Sequence, residues 1–170
     1  MTDVRRNNDL EKLRNLCAES NGKLSIISTS GTPISKIELE SKYKTVGDVS
    51  YPNKISTSTR FVIELMARYP FVEPAVNIKS NILHPNIYSS GRICLGRKWM
   101  PTETLDLFVK RILAIITYDK SIINEDSPAN GDALRWYRST VLNHPNMFPT
   151  DKLIFNTDAH KQKMSWNNIK

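Results

Sequence analysis

A change of hydrophobic period near residue 100 is what most constrains this chain. Before it, apolar residues come in short runs broken by turn formers. Lys23 to Ser28 carries Leu24, Ile26 and Ile27, then Ser30-Gly31-Thr32-Pro33 interrupts, and Ile34, Ile37 and Leu39 recur in a second run. Gly47 to Ser58 is polar, with Gly, Pro and Asn, and reads as a long hairpin loop. Phe61 to Met66 and Ala75 to Ile78 supply a third and a fourth strand. Consecutive strands with short returns and no helix between them predict an antiparallel meander. After residue 100, Leu105, Phe108, Val109, Ile112 and Ile116 trace a helical stripe, with Thr102 as N-cap and Glu103 and Asp106 in the early turns. Asp119 to Gly131 is polar and irregular. Beyond it, Ala133, Leu134, Trp136, Tyr137 and Val141 predict another helix, ended by His144-Pro145. At the other end, Leu10, Leu13, Leu16 and Cys17 predict a helix over Asp9 to Ser20, stopped by Ser20-Asn21-Gly22. A helix, a four-stranded antiparallel meander and then helices make an α+β fold. No repeat, low-complexity tract or composition shift marks a second domain. Residues 1–170 are therefore expected to form one domain, with a core over about 5–143 and a divergent extension over 144–170.

Composition narrows the function classes. A chain of 170 residues, 39% of them hydrophobic, can bury a sizeable core. The net charge of +7 is dispersed: only Arg5, Arg6, Lys12 and Arg14 cluster, and no block of five or more Lys or Arg exists. Such an excess favours solubility and steers acidic partners, and no nucleic acid is expected as the main ligand. The longest unbroken apolar stretch, Ile112 to Ile116, is far short of the roughly 20 residues of a membrane span. No secretory signal is visible. Two cysteines, Cys17 and Cys94, make neither a disulfide framework nor a metal cluster, so a cytoplasmic setting and no metal or cofactor are expected. Cys17, on the apolar stripe of the first helix, reads as a small packed hydrophobe.

Chemistry-bearing residues crowd between positions 69 and 101. The segment holds Tyr69-Pro70-Phe71-Val72-Glu73-Pro74, then His84-Pro85-Asn86, Tyr88, Gly91-Arg92-Ile93-Cys94-Leu95 and Trp99-Met100-Pro101. Read alone, it puts one cysteine in a loop-rich region shortly before a helix. Cysteine is the strongest neutral-pH nucleophile among the side chains, already a few per cent thiolate at pH 7. A lone cysteine is more often structural or inert than a nucleophile, and residue type alone leaves both readings open. Two decoys fail. His144-Pro145-Asn146 repeats the tripeptide with no cysteine after it, and acts as a helix terminator. Gly91 to Lys98 lacks the Lys-Ser/Thr ending of a phosphate loop.

Taken together, these segments resemble the ubiquitin-conjugating enzyme family. Its members show Tyr-Pro-Phe-x-x-Pro, His-Pro-Asn, Gly-x-x-Cys-Leu and Trp-x-Pro in this order, and Asn86 precedes Cys94 by the family's eight positions. The resemblance implies that Cys94 accepts the C-terminal acyl group of ubiquitin or a ubiquitin-like protein from an activating enzyme, and that an amine, usually lysine, attacks the thioester. Asn86 would donate to the oxyanion, where one donor contributes about 2.7–4 kcal/mol, or would order the loop that presents the donor. An unperturbed lysine is only about 0.04% neutral at pH 7, and family members lower its pKa with an apolar wall, a tyrosine and acidic residues. Tyr88 is the tyrosine by this matching. Asp126 is the expected gate carboxylate, with Ser127 and Asp119 as alternatives. His84 and Pro85 are implied as loop support. Phe71 and Pro101 fall where relatives meet a ligase, an optional further partner. Arg5, Arg6, Lys12 and Arg14 fall where relatives meet the activating enzyme, although a solvated basic face accounts for them equally well. The five positions from Cys94 to Trp99 are fewer than in most eukaryotic members and are similar to stand-alone bacterial relatives, with phage defence as one setting. A non-catalytic binding module of the same fold is the alternative, although such variants typically lose the cysteine.

Overall fold

The structure is a computed structural model that describes residues 2–157. Helix α1 (Thr2–Glu19) leads into strands β1 (Leu24–Ser30), β2 (Lys36–Ser41), β3 (Thr59–Glu64) and β4 (Ala75–Ile78). The strands pair in sequence order as one antiparallel sheet. A long loop comes next, then helix α2 (Leu105–Ile116), a short 3-10 turn (Lys120–Ile122), helix α3 (Gly131–Asn143) and a second 3-10 turn (Pro145–Met147). Each hairpin strand alternates its side chains, so Ile37, Leu39, Phe61 and Ile63 face inward and are fully buried. They share one cluster with Leu13 and Leu16 of α1 and Phe108, Val109 and Ile112 of α2. Burying each such side chain contributes about 1.5–3 kcal/mol.

Helix α1 begins well before the expected Asp9. Its first two turns bury polar side chains in place of apolar ones, which hydrophobic periodicity does not register. Arg6 is 4% exposed and donates to the carbonyl oxygens of Ile34, Leu65 and Met66. The buried Asp9 accepts from Arg5 Nε and from the Tyr69 hydroxyl. Arg5 also donates to Glu103 O. Thus the helix N-terminus is bolted by charge and hydrogen bonds to the loops at one end of the sheet. Helix α2 starts two residues later than expected, at an extended Thr104. Thr102 and Glu103 fall instead in a turn, with Glu103 N donating to Met100 O at 2.8 Å.

The end of α2 sets the course of the chain toward α3. Tyr118 has φ +58, a left-handed conformation usually given to glycine. Its N–H donates to Ile115 O at 3.0 Å and that of Asp119 to Ala114 O at 2.9 Å, the two bonds of a Schellman ending. The Tyr118 hydroxyl donates to Leu83 O, and its ring packs on His84, Tyr137 and Phe148. These contacts offset the backbone cost, about 1 kcal/mol or more for a residue with a Cβ. Tyr118, Leu134, Tyr137, Phe148 and Val46 form a second, aromatic cluster under α3. His144-Pro145 ends α3, as expected from the sequence. After Phe148 the chain runs extended: Thr150 N donates to Thr117 O, and Asn156 N to Glu19 O at the end of α1. Leu153 and Phe155 pack against the main cluster. The remaining part of the expected extension, 158–170, lies outside the described residues.

Candidate active site

Cys94 sits where a tight hairpin and two loops converge. Residues 87–93 fold back on themselves: Tyr88 N donates to Arg92 O at 2.9 Å and Gly91 N to Tyr88 O at 2.9 Å. Gly91 has φ +89, and a Cβ there would lie 2.3 Å from Ile78 O, so the close approach to the end of β4 requires glycine. Ile78 N donates to Gly91 O at 2.8 Å, which anchors the hairpin to the sheet. Cys94 follows directly, with its N–H donating to Asn86 O at 2.7 Å. Its thiol is half-buried.

Asn86 is fully buried and all its polar side-chain atoms are engaged. Nδ2 donates to Cys94 O at 3.2 Å and to Ile122 O at 2.8 Å, while Oδ1 accepts from Asn124 N at 2.9 Å. An amide has two N–H groups, and both here are spent on backbone carbonyls. Of the two roles implied for Asn86, the geometry favours loop ordering. His84 supports it from beneath: Nδ1 accepts from Asn86 N at 2.9 Å. Nε2 has no hydrogen-bond partner among the described residues. Complete burial drives the imidazole pKa down to about 3, so the ring is neutral. Pro85 is buried beside it, and Pro85 O accepts from Asn130 N at 3.0 Å.

Two open grooves adjoin along Leu95, Gly96, Arg97 and Asn124, and Cys94 borders the first of them. One, about 660 Å³, is bordered by Glu73, Val76, Tyr88, Arg92, Cys94 and Asn124. The other, about 440 Å³, runs past Leu95, Arg97, Arg111, Ser121 and Asn124. Tyr88, 49% exposed, therefore borders the same groove as Cys94. Asp126 is exposed on the same loop as Asn124 but does not border either groove among the described residues. Ser127 is engaged through its backbone with Asn124. Asp119 is spent as a cap, its Oδ1 accepting from Ser121 N and Oγ. The carboxylate that does border the Cys94 groove is Glu73. Its pKa is raised by partial burial, against the pull of Arg111 and with Glu103 adding to the rise.

The partner residues separate. Phe71 is 72% exposed and Pro101 partly so, and Trp99 Nε1 ties their two loops together through Pro70 O at 2.7 Å. Lys12 and Arg14 are exposed on α1. Arg6 is buried and Arg5 is engaged inward, so the expected four-residue basic face reduces to Lys12 and Arg14. Sequence reasoning missed Asn124, and it placed in an early helical turn the buried Glu103, which instead precedes α2 and pairs with Arg111 at 2.8 Å and Arg97 at 3.3 Å. Nothing in one dimension signals that Asn124 faces a thiol thirty residues upstream. Among the described residues, no group of three or more His, Cys, Asp or Glu could hold a metal, and no helix is long and apolar enough to cross a membrane.

Comparison with known proteins gives the class. A model of the ubiquitin-conjugating enzyme family matches residues 48–148, more than half of the chain, and the chain belongs to that family. A ubiquitin-conjugating enzyme E2 of African swine fever virus (strain Badajoz 1971 Vero-adapted) is 32% identical over 84 residues, covering 43% of this chain and 37% of the relative. Ubiquitin-conjugating enzyme E2 2 of Yarrowia lipolytica is 36% identical over 85 residues, covering 46% and 52%. The chain thus spans about half the length, or less, of these curated relatives. A solved structure from Trypanosoma cruzi described as a ubiquitin conjugating enzyme superposes with TM-score 0.61 at 20% identity, covering 86% of this chain and 94% of its own, and shares the fold.

Proposed function

We propose that the chain accepts the C-terminal acyl group of ubiquitin or a ubiquitin-like protein as a thioester on Cys94 and transfers it to an amine, normally lysine. The observation that carries this reading is the half-buried Cys94 on the groove it shares with Tyr88 and Asn124, its backbone carbonyl held by Asn86 in the family's motif. In the first step the Cys94 thiolate attacks the activating enzyme's thioester and displaces that enzyme's thiolate. In the second, an amine attacks the new thioester, and the Cys94 thiolate leaves. Tyr88 and the apolar wall with Val76 would desolvate the amine, with Glu73 the carboxylate that borders the Cys94 groove and the exposed Asp126 lying outside it on the loop that carries Asn124. The activating enzyme would meet Lys12 and Arg14, and a ligase the exposed Phe71 with Met100 and Pro101. The reading takes residues 1–170 as one domain at work in a reducing cytoplasm, with no ATP or metal bound by the chain itself.

Incubation with an activating enzyme, ATP and ubiquitin or a ubiquitin-like protein tests it. A thiol-reducible adduct on the wild type, absent from Cys94→Ala, is expected. No adduct with any such set would favour the non-catalytic binding module. The five-position step to Trp99 supports a stand-alone bacterial system, for which the neighbouring genes should encode an adenylating enzyme and a small modifier.

A further inference from the structure

Asn86 leaves one chemical requirement unmet. Attack on a thioester turns its carbonyl oxygen into an oxyanion, which needs a donor, yet both Asn86 amide hydrogens are committed to Cys94 O and Ile122 O. The Cys94 N–H is committed as well, to Asn86 O. A second amide stands at the same place. Asn124 Oδ1 accepts from Ser127 N at 3.1 Å and its Nδ2 donates to Ser127 O at 2.7 Å, two bonds that fix which way the amide faces. One Nδ2 hydrogen is thereby used. The other is left over, and Nδ2 lies 4.0 Å from Cys94 Sγ. Asn124 borders the groove that Cys94 opens into, so it lies beside an acyl group on the sulfur that occupies that groove.

We propose that Asn124, through this second amide hydrogen, is the catalytic donor to the oxyanion formed on the Cys94 thioester; the inference rests on the thioester reading of the site. The carbonyl oxygen of a Cys94 acyl group lies two bonds beyond the sulfur, on the carbonyl carbon. A donor 4.0 Å from that sulfur can therefore meet the oxygen at the about 2.7–3.1 Å of an oxyanion hole. In the step, the amine nitrogen bonds to the carbonyl carbon and the C=O pair moves to oxygen, where Asn124 donates. Collapse restores the carbonyl, breaks the C–S bond and releases the Cys94 thiolate. The ammonium proton passes to water. Asn86 fixes the position of Asn124 by accepting from its backbone N–H, so one asparagine is the positioning residue for the other.

The test needs neither activating enzyme nor natural modifier. A synthetic glycyl peptide thioester loads Cys94 by thiol exchange, and discharge of the purified adduct to free lysine and to hydroxylamine is tracked by mass spectrometry. Asn124→Ala should slow discharge about 10²-fold to both amines, because the lost donor acts on the carbonyl they share. Asn124→Asp keeps an acceptor for Ser127 N but has no amide hydrogen, and should be at least as slow; it carries the test if the alanine variant does not fold. Alkylation of the free thiol by iodoacetamide forms no oxyanion and should fall far less than discharge in both, even where the carboxylate of Asn124→Asp disfavours the thiolate. Wild-type discharge rates in the variants, loss confined to lysine, or equal loss of alkylation and discharge would each overturn the inference. A wild type that never accepts or releases the acyl group would instead overturn the thioester reading beneath it.

Discussion

Acid should destabilise this protein through His84, and the size of the effect is set by its surroundings. The ring is fully buried, its Nδ1 accepts from Asn86 N, and burial holds its pKa at about 3, against about 6.5 in an unfolded chain. Because the folded value is depressed, the unfolded state takes up the proton first as pH falls. The contribution of the neutral ring is complete above pH 6.5 and is lost progressively between 6.5 and 3. At pH 5 the unfolded imidazole is about 97% protonated and the folded one about 1%, so about 2 kcal/mol is lost from this group alone. Urea unfolding at pH 7 and pH 5, on the wild type and on His84→Gln, measures it. The glutamine keeps an acceptor for Asn86 N but does not titrate. The wild type should lose about 2 kcal/mol more than the variant over that interval. Equal losses in the two proteins would refute the argument.

Three other outcomes are expected. Asn86→Ala strands the Ile122 carbonyl and the Asn124 N–H, and should cost about 2–4 kcal/mol in urea unfolding while also slowing discharge of Cys94. Iodoacetamide at pH 7 should label Cys94 and spare Cys17, whose thiol is pushed up to about 11 by burial, partly offset by a backbone hydrogen bond from Ile26; mass spectrometry of the folded protein reads this directly. Tyr118→Phe removes the hydroxyl that donates to Leu83 O and should cost about 1 kcal/mol, read as a lowered urea midpoint.

Where the core is built from apolar side chains, its plan was legible in one dimension. The runs holding Ile37 and Leu39 and spanning Phe61 to Met66 foretold β2 and β3, and the stripe from Leu105 to Ile116 foretold α2. The start of α1 was not legible, because Arg6 and Asp9 are buried by pairing with carbonyls and a hydroxyl rather than by hydrophobicity. Motif spacing brought out Cys94, Asn86 and Tyr88, since the Gly91 turn is encoded within a few residues of each. Asn124, Glu103 and Arg111 escaped for the opposite reason: each reaches its partner through a fold-back that no local pattern announces. The gate carboxylate shows the same gap, since Asp126 was legible as an acid but not as one lying outside the grooves.

The step from Cys94 to Trp99 carries a consequence for how this scaffold diversifies. Its two ends are fastened independently, Cys94 through Asn86 and Trp99 through Pro70, while Gly96, Arg97 and Lys98 stand exposed between them. Extra residues spliced in there stretch only a surface arc, and each doubling of such an arc costs about 0.6 kcal/mol of closure entropy. Lineages can therefore lengthen or shorten that arc to court new associates while the sulfur keeps its address.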